Sequence, residues 1–228
     1  GFVSTTLLSQ VDASVGGKNG VNFEGYKNMV GVFNQPEFVI CDPELLKTLP
    51  EKELLNGCAE IVKHAAIADE GLFHYLEENY GGILELDKDV IEKVVHDSVR
   101  IKSGIVNRDE REMGERRKLN FGHTIGHALE KVTGITHGEA VSIGMAAASK
   151  ISEKRGLLTK KGRIRIENLL TNLGLPLSIK ADKSKIIEAL GKDKKREKND
   201  IHFVLLKGIG EAVVENIDIR ELPSLFLD

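Results

Sequence analysis

The hydrophobic positions of this chain change period near Pro50. Upstream, short apolar runs are broken by Gly16, Gly17, Gly20, Gly25, Asn28 and Gly31, and only Glu37-Phe-Val-Ile-Cys41 reads as a strand. Downstream, apolar residues recur at helical spacing and predict helices over about 51–68, 70–79, 88–109, 121–133, 138–155, 159–174 and 183–191. Pro50 followed by Glu51 and Glu53 fits a helix start, because the first turn favours acids. Asp87 and Thr159 read as N-caps, and Gly134, Gly156 and Gly174 stand where helices should stop. Near the end, Ile201-His-Phe-Val-Leu-Leu206 and Glu211-Ala-Val-Val-Glu215 flank Lys207-Gly-Ile-Gly210, the pattern of a β-hairpin docked on helices. No internal repeat, coiled coil or low-complexity segment interrupts this mainly α reading.

At 228 residues, 41% hydrophobic and 29% charged, the chain can bury a sizeable core. A net charge of -3 gives no reason to expect a nucleic-acid partner, although the basic run Lys192-Asp-Lys-Lys-Arg196 leaves room for a small anion. Cys41 and Cys58 stand in unrelated contexts and are expected as free thiols in a reducing compartment. No apolar run approaches the ~20 residues of a membrane span, and no secretory signal segment is recognisable. A cytoplasmic protein is therefore expected. The opening Gly1-Phe-Val-Ser-Thr-Thr-Leu-Leu reads as the inside of a strand, which suggests a piece of a longer protein.

Chemistry concentrates in Leu119-Asn-Phe-Gly-His123-Thr-Ile-Gly-His127-Ala-Leu-Glu130, with His137 soon after in His137-Gly-Glu-Ala-Val141. Three of the seven histidines fall in one fifteen-residue window. His123 and His127 are one helical turn apart, so spacing alone makes them a ligand pair, as in the His-Glu-x-x-His pattern. The glutamate of that pattern is absent, which argues against a zincin-type protease. Glu60, in Gly57-Cys-Ala-Glu-Ile-Val-Lys63, offers a carboxylate to a catalytic metal site with one open position. Glu60 also shares a helix face with Lys63 and His64, and reads equally as a surface ion pair or as a ligand pair with His64. Lys102 lies on or beside the apolar stripe of Ile91, Val94, Val95, Ser98, Ile101 and Ile105. It either snorkels at the edge of that stripe or points inward to hold an anion. Val15-Gly-Gly-Lys18 and Gly25-Tyr-Lys-Asn28 read as glycine-containing loops that carry a lysine, able to cradle phosphate. Neither a Walker A loop nor a Gly-x-Gly-x-x-Gly fingerprint is present.

In this order and spacing, the segments Asp12-Ala-Ser-Val-Gly-Gly-Lys18, Lys27-Asn28-Met-Val-Gly, Leu49-Pro50, Gly57-Cys-Ala-Glu-Ile-Val-Lys63, Asn120-Phe-Gly-His-Thr-Ile-Gly-His127 and His137-Gly-Glu-Ala-Val resemble the 3-dehydroquinate synthase family of the shikimate pathway of aromatic amino acid biosynthesis. The resemblance runs from Thr5-Thr6-Leu-Leu-Ser-Gln-Val-Asp12 to Phe203-Val-Leu-Leu206. It implies a nucleotide-binding α/β domain, of which residues 1–50 would be the C-terminal remnant, and a helical metal- and substrate-binding domain over 51–228 with the hairpin near 201–216. The family's pyrophosphate loop would lie upstream of Gly1, so these 228 residues by themselves are expected to fold without turning over.

The implied reaction converts 3-deoxy-D-arabino-heptulosonate 7-phosphate to 3-dehydroquinate and phosphate, a lyase chemistry of transient oxidation by NAD, phosphate elimination and aldol closure. The resemblance assigns a divalent metal, zinc or cobalt, to Glu60, His123 and His137, and moves His127 to the substrate. Lys18, Lys63, Lys102, Arg116, Asn120 and a lysine of Asp193-Lys194-Lys195, taken as Lys194, would face the sugar phosphate. Thr5, Thr6, Asp12, Lys18, Lys27, Asn28, Leu45, Leu46, Lys47 and Thr48 would face NAD. A homodimer is implied for the full-length protein. Ser4, Asn19 and His64 depart from the residues usual at their positions. Two neighbouring readings are a sister sugar-phosphate cyclase, whose substrate lacks the carboxylate that Lys102, Arg116 and Asn120 favour, and a glycerol-type metal-dependent dehydrogenase.

Overall fold

The computed structural model describes residues 1–23, 26–191, 196–197, 200–218 and 221, with the backbone alone at 22, 26–29, 183, 196, 197 and 200. Seven helices dominate: α1 Glu51–Ala68, α2 Glu70–Leu84, α3 Lys88–Arg108, α4 His123–Thr133, α5 His137–Lys154, α6 Lys160–Asn172 and α7 Lys183–Gly191. The predicted caps act as caps. Asp87 accepts from the Val90 N–H at 3.0 Å and Thr159 from the Gly162 N–H at 3.1 Å. Helix α5 starts earlier than its periodicity suggests, because Thr136 and Glu139 form a capping box that makes His137 its first residue. Helix α2 runs past the predicted end at 79, since the buried Ile83 draws one more turn onto the core. Among the described residues no helix is long and apolar enough to cross a membrane.

The strands are β1 Phe2–Ser4, β2 Lys18–Phe23, β3 Tyr26–Phe33, β4 Val39–Cys41, β5 Arg196–Glu197, β6 Asp200–Gly208 and β7 Glu211–Asp218. They form three small sheets. β1 lies parallel to β4, β2 antiparallel to β3, and β5-β6-β7 make an antiparallel meander. The predicted terminal hairpin is β6–β7, and it docks through main-chain bonds: the Leu206 N–H donates to Ser152 Oγ at 3.0 Å and the Gly210 N–H to the Ala66 carbonyl at 2.8 Å. The hairpin β2–β3 was not predicted. Lys18, Lys27 and Asn28 stand on strands, not in glycine-containing loops. Its apolar residues Val21, Val30, Val32 and Phe33 are all exposed, so no buried face imposes an apolar–polar alternation that periodicity could detect.

Helix α1 is the axis of the helical body. It is buried from Leu54 to Ile67 apart from Leu55, and α2, α3, α5 and the turn Ser9–Ala13 pack around it. Several contacts are close enough that only glycine fits. A Cβ on Gly57 would lie 2.5 Å from Leu7 Cγ, and one on Gly138 would lie 2.6 Å from Asn56 Cα. The tightest seam joins α5 to the entry of α4, where a Cβ on Gly144 would sit 1.9 Å from the Gly122 carbonyl oxygen. Gly144→Ala should therefore destabilise the protein by about 1–3 kcal/mol, since backbone has to move. Gly81, inside α2 with nothing within 4 Å of a Cβ, is the opposite case. Gly81→Ala should stabilise by about 0.5–1 kcal/mol through helix propensity. Urea unfolding midpoints of the two variants should move in opposite directions from that of the parent.

Candidate active site

Helix α1 turns an unusual face to the interior: Glu60, Lys63 and His64 are each at most 2% exposed. Charged groups at such depth need partners. Glu60 Oε2 pairs with Lys63 Nζ one turn on. Lys63 also lies 3.6 Å from Asp12 Oδ1, brought in by the turn Ser9–Ala13. Lys102 reaches the same oxygen from α3 at 2.7 Å and donates to the Asp12 carbonyl as well. The inward reading of Lys102 is the one the structure adopts. His64 Nε2 stands 3.5 Å from Asp12 Oδ1.

The electrostatics follow from this chain of contacts. Burial alone would raise the Glu60 carboxyl, but Lys63 and His123 outweigh it and hold it well below the ordinary range. Burial likewise works against Asp12, and Lys102 and Lys63 overcome it, leaving the carboxylate ionised far into acid. Lys63 is held above the usual ammonium value because Glu60 and Asp12 outweigh its burial, whereas burial wins at Lys102 and lowers it. Burial also lowers His64, so its ring is neutral.

The second oxygen of Glu60 faces two histidines. His137 Nε2 lies 3.1 Å and His123 Nε2 3.3 Å from Oε1. The donor atoms of Glu60, His123 and His137 all fall within 4.8 Å of one another, close enough for small side-chain shifts to bring all three onto one ion at ligand bonds of about 2.0–2.2 Å. His123 Nδ1 stands 3.2 Å from the Phe121 carbonyl oxygen. That oxygen can only accept, so the ring hydrogen is on Nδ1. Burial keeps the ring below the usual imidazole range, which leaves Nε2 as a bare acceptor aimed at a carboxylate. A cation between two acceptors so placed would satisfy both, so the donor set fits a divalent metal. Behind His137, Glu130 Oε2 lies 3.9 Å from Nδ1, the carboxylate–histidine arrangement that orients a ligand. Sequence reading passed over Glu130, although its place seven residues after His123 puts it on the same helix face.

His127 stacks edge-on against His123 with centroids 5.3 Å apart, but it is exposed and outside the three-donor cluster. A second grouping, Asp12, Glu60 and His64, also has donor atoms within 4.8 Å. The Lys63 ammonium already lies between its two carboxylates.

The remaining expected residues divide. Thr5, Thr6 and Lys18 line a cleft of about 700 Å³, together with Ser4, Ser14 and the β2–β3 hairpin. Asn120 and Lys18 converge on one carboxylate, that of Glu112, a residue the sequence hides inside the charge run Arg108-Asp-Glu-Arg-Glu112. Arg116 is buried and spends its guanidinium on main chain, donating from Nη2 to the Gly16 carbonyl at 2.8 Å and from Nη1 to that of Glu110. Leu45, Leu46, Lys47 and Thr48 form a 3-10 turn in which Leu46 is core and Lys47 pairs with Glu44. Lys194 and Lys195, and the side chains of Lys27 and Asn28, lie outside the described residues.

Comparison with known proteins places this geometry. Residues 57–196 match the family described as 3-dehydroquinate synthase C-terminal, and residues 2–56 match 3-dehydroquinate synthase N-terminal. A 3-dehydroquinate synthase from Dehalococcoides mccartyi is 48% identical over 217 residues, covering 93% of this chain and 60% of the relative. One from Thermoanaerobacter pseudethanolicus is 45% identical over 224 residues, covering 96% of this chain and 63% of the relative. The chain thus spans somewhat over half the length of these curated relatives. Among solved structures, 2-epi-5-epi-valiolone synthase from Streptomyces hygroscopicus subsp. jinggangensis, with NAD+ and Zn2+ bound, superposes with a TM-score of 0.89 at 32% identity, over 99% of this chain and 64% of that one. A 2-deoxy-scyllo-inosose synthase complexed with carbaglucose-6-phosphate, NAD+ and Co2+ gives 0.86 at 26% identity, over 97% and 66%. Its mainly helical fold, and sequence matches that run nearly from end to end, make the chain a member of the 3-dehydroquinate synthase family.

Proposed function

We propose that this chain carries the metal- and substrate-binding part of an enzyme that converts 3-deoxy-D-arabino-heptulosonate 7-phosphate to 3-dehydroquinate and phosphate. In this reading residues 1–50 belong to a nucleotide-binding α/β domain and the helices from Glu51 onward form the second domain. The observation that carries it is the convergence of Glu60, His123 and His137, with His123 Nε2 left bare toward the carboxylate. Identities of 45–48% to dehydroquinate synthases, against 32% and 26% to the two cyclases of other products, favour the carboxylated substrate. NAD, when bound, supplies a reversible hydride acceptor, and a divalent zinc or cobalt supplies a Lewis acid at the oxygen being oxidised.

The chain's own residues do the rest. Glu60, His123 and His137 would hold the metal, the Phe121 carbonyl orients the His123 ring through Nδ1, and Glu130 stands 3.9 Å behind Nδ1 of His137. Lys63 and Lys102 flank Asp12 and present fixed positive charge beside the metal, where an anionic substrate gains most from it. Lys18 offers an ammonium at the cleft, and Asn120 offers an amide N–H to the same Glu112 carboxylate that Lys18 meets. Exposed His127, against the His123 ring, is placed to contact substrate and pass a proton. Thr5, Thr6 and Lys18 line the opening available to a nucleotide.

Three results test this reading. His123→Ala and His137→Ala should each lose bound zinc by metal analysis, while His127→Ala keeps zinc and loses turnover. Equal zinc loss in all three would return His127 to the ligand set. With NAD and zinc, the full-length protein should release phosphate from the heptulosonate phosphate with no net rise in NADH absorbance. Accumulating NADH would mark a dehydrogenase, and preference for a sugar phosphate without the carboxylate would mark a sister cyclase. Asp12→Asn should destabilise the fold by about 3–5 kcal/mol at pH 7, because two lysines lose their buried counter-charge. The Asp12 carboxyl is lowered in the folded state, so its stabilisation is complete above the unfolded value of about 3.9 and is lost as pH falls through the folded value. Urea titrations should show the gap between parent and variant narrowing below about pH 4.

A further inference from the structure

The loop between α3 and the 3-10 helix Glu115–Asn120 is built to hold one side chain in one place. Asp109 closes it, accepting from the N–H groups of Met113, Gly114 and Arg116 at 2.7–3.0 Å. Arg116 ties it to the Gly16 carbonyl, and Gln35 donates to Glu110 Oε1 at 3.2 Å. Within this frame Glu112 adopts a left-handed φ of 59°, a conformation costly for a residue with a Cβ. The cost is borne while the carboxylate spans two donors: Oε2 takes the Lys18 ammonium and Oε1 takes the Asn120 amide at 2.5 Å. Lys18 lines the large cleft, and Asn120 stands three residues before His123. The Glu112 side chain is only 19% exposed while the lysine it caps is 49% exposed, so the carboxylate sits on the inner side of the pair.

We infer that Glu112 is a resident counter-anion, which occupies the Lys18–Asn120 cradle and is exchanged for an anionic oxygen group of the arriving substrate. The inference rests on the reading of Lys18 and Asn120 as substrate-facing. An ammonium and an amide arranged around two carboxylate oxygens make a site for any oxyanion. The strained backbone of Glu112 gives the loop a way to relax once its side chain is displaced. Binding then costs the breakage of an internal ion pair. An anionic group that gathers more of the cradle's donors meets that cost more readily.

The test uses the full-length protein and calorimetric titration with inorganic phosphate, and separately with acetate to represent a carboxylate. Glu112→Gln removes the competing charge and Glu112→Gly also removes the left-handed strain. Both should bind the anion about five-fold more tightly than the parent, the equivalent of a partly exposed ion pair of roughly 1 kcal/mol. Lys18→Ala should lose binding. Tightening confined to phosphate or to acetate assigns the cradle to that end of the substrate. Circular dichroism confirms that each variant is folded. Binding that weakens, stays unchanged or is absent in folded Glu112→Gln, while Lys18→Ala does lose it from the parent, overturns the exchange and makes Glu112 a support for Lys18. Unchanged binding in Lys18→Ala removes the anion site itself, and the failure then lies with the underlying reading of Lys18.

Discussion

Two acids and two lysines are gathered around the buried middle of α1, and the surrounding structure answers to their need for mutual compensation. Glu60, Lys63, Asp12 and Lys102 form an unbroken alternation of sign. Removing any one would strand the others in a medium where an uncompensated ion costs several kcal/mol. This explains why Leu7 and Leu8, which lead into the turn Ser9–Ala13, are pinned against α1 at Gly57, and why α3 sends a lysine inward through an apolar stripe. The four charges sum to zero. With His64 neutral, a dication bound at Glu60, His123 and His137 would therefore leave the site net positive, suited to a substrate with two anionic ends.

Such a network holds only if the backbones that carry it cannot slide. Here glycines make the difference, because they remove the spacing that side chains enforce. Gly57 admits Leu7 and Leu8, Gly138 admits α1 beneath the start of α5, and Gly144 admits the chain at Gly122. Gly122 itself has a φ of 77°, and this left-handed step ends the preceding 3-10 segment and starts α4 at His123. Both histidines of the cluster are first residues of their helices. Their positions are set by helix entry geometry, which is stiff, and not by mid-helix packing.

Much of the helical scaffold was legible because each helix carries its own apolar stripe and its own punctuation, as Asp87, Thr159, Gly134 and Gly174 illustrate. The β2–β3 hairpin was not, since Val21, Val30 and Val32 face outward and leave no buried face to set a period. The site was half legible. Spacing brought out the histidine window and the anomaly of Lys102. It could not say that Glu60, from a helix 63 residues upstream of His123, supplies the common oxygen, because that depends on how α1 crosses α4 and α5. Glu60 was a candidate carboxylate from the residues alone, and the family resemblance is what joined it to His123 and His137. Glu112 carries no spacing signal that separates it from a solvated acid, whereas Glu130 shares the His123 face but gives no sign of its reach to His137.

The contrast between His123 and His127 shows what periodicity alone leaves open at this kind of site. Two histidines one turn apart share a helix face, and on an isolated helix they would be the natural chelating pair. Here the third donor decides. Glu60 lies to the side of α4 where α5 enters, so the ring at the first residue of α4 reaches it while the ring one turn later is carried away toward solvent. His137 reaches the same oxygen because α5 begins beside it, tethered through the bond from the Gly138 N–H to Asn56 Oδ1 at 2.7 Å. His127 is thereby left next to the cluster but outside it, in contact with a ligand ring and open to the outside. In the reading proposed above, a metal centre that binds an oxygen and exchanges protons would use one histidine in each position, and the entry angles of two helices place both from a single short stretch of sequence.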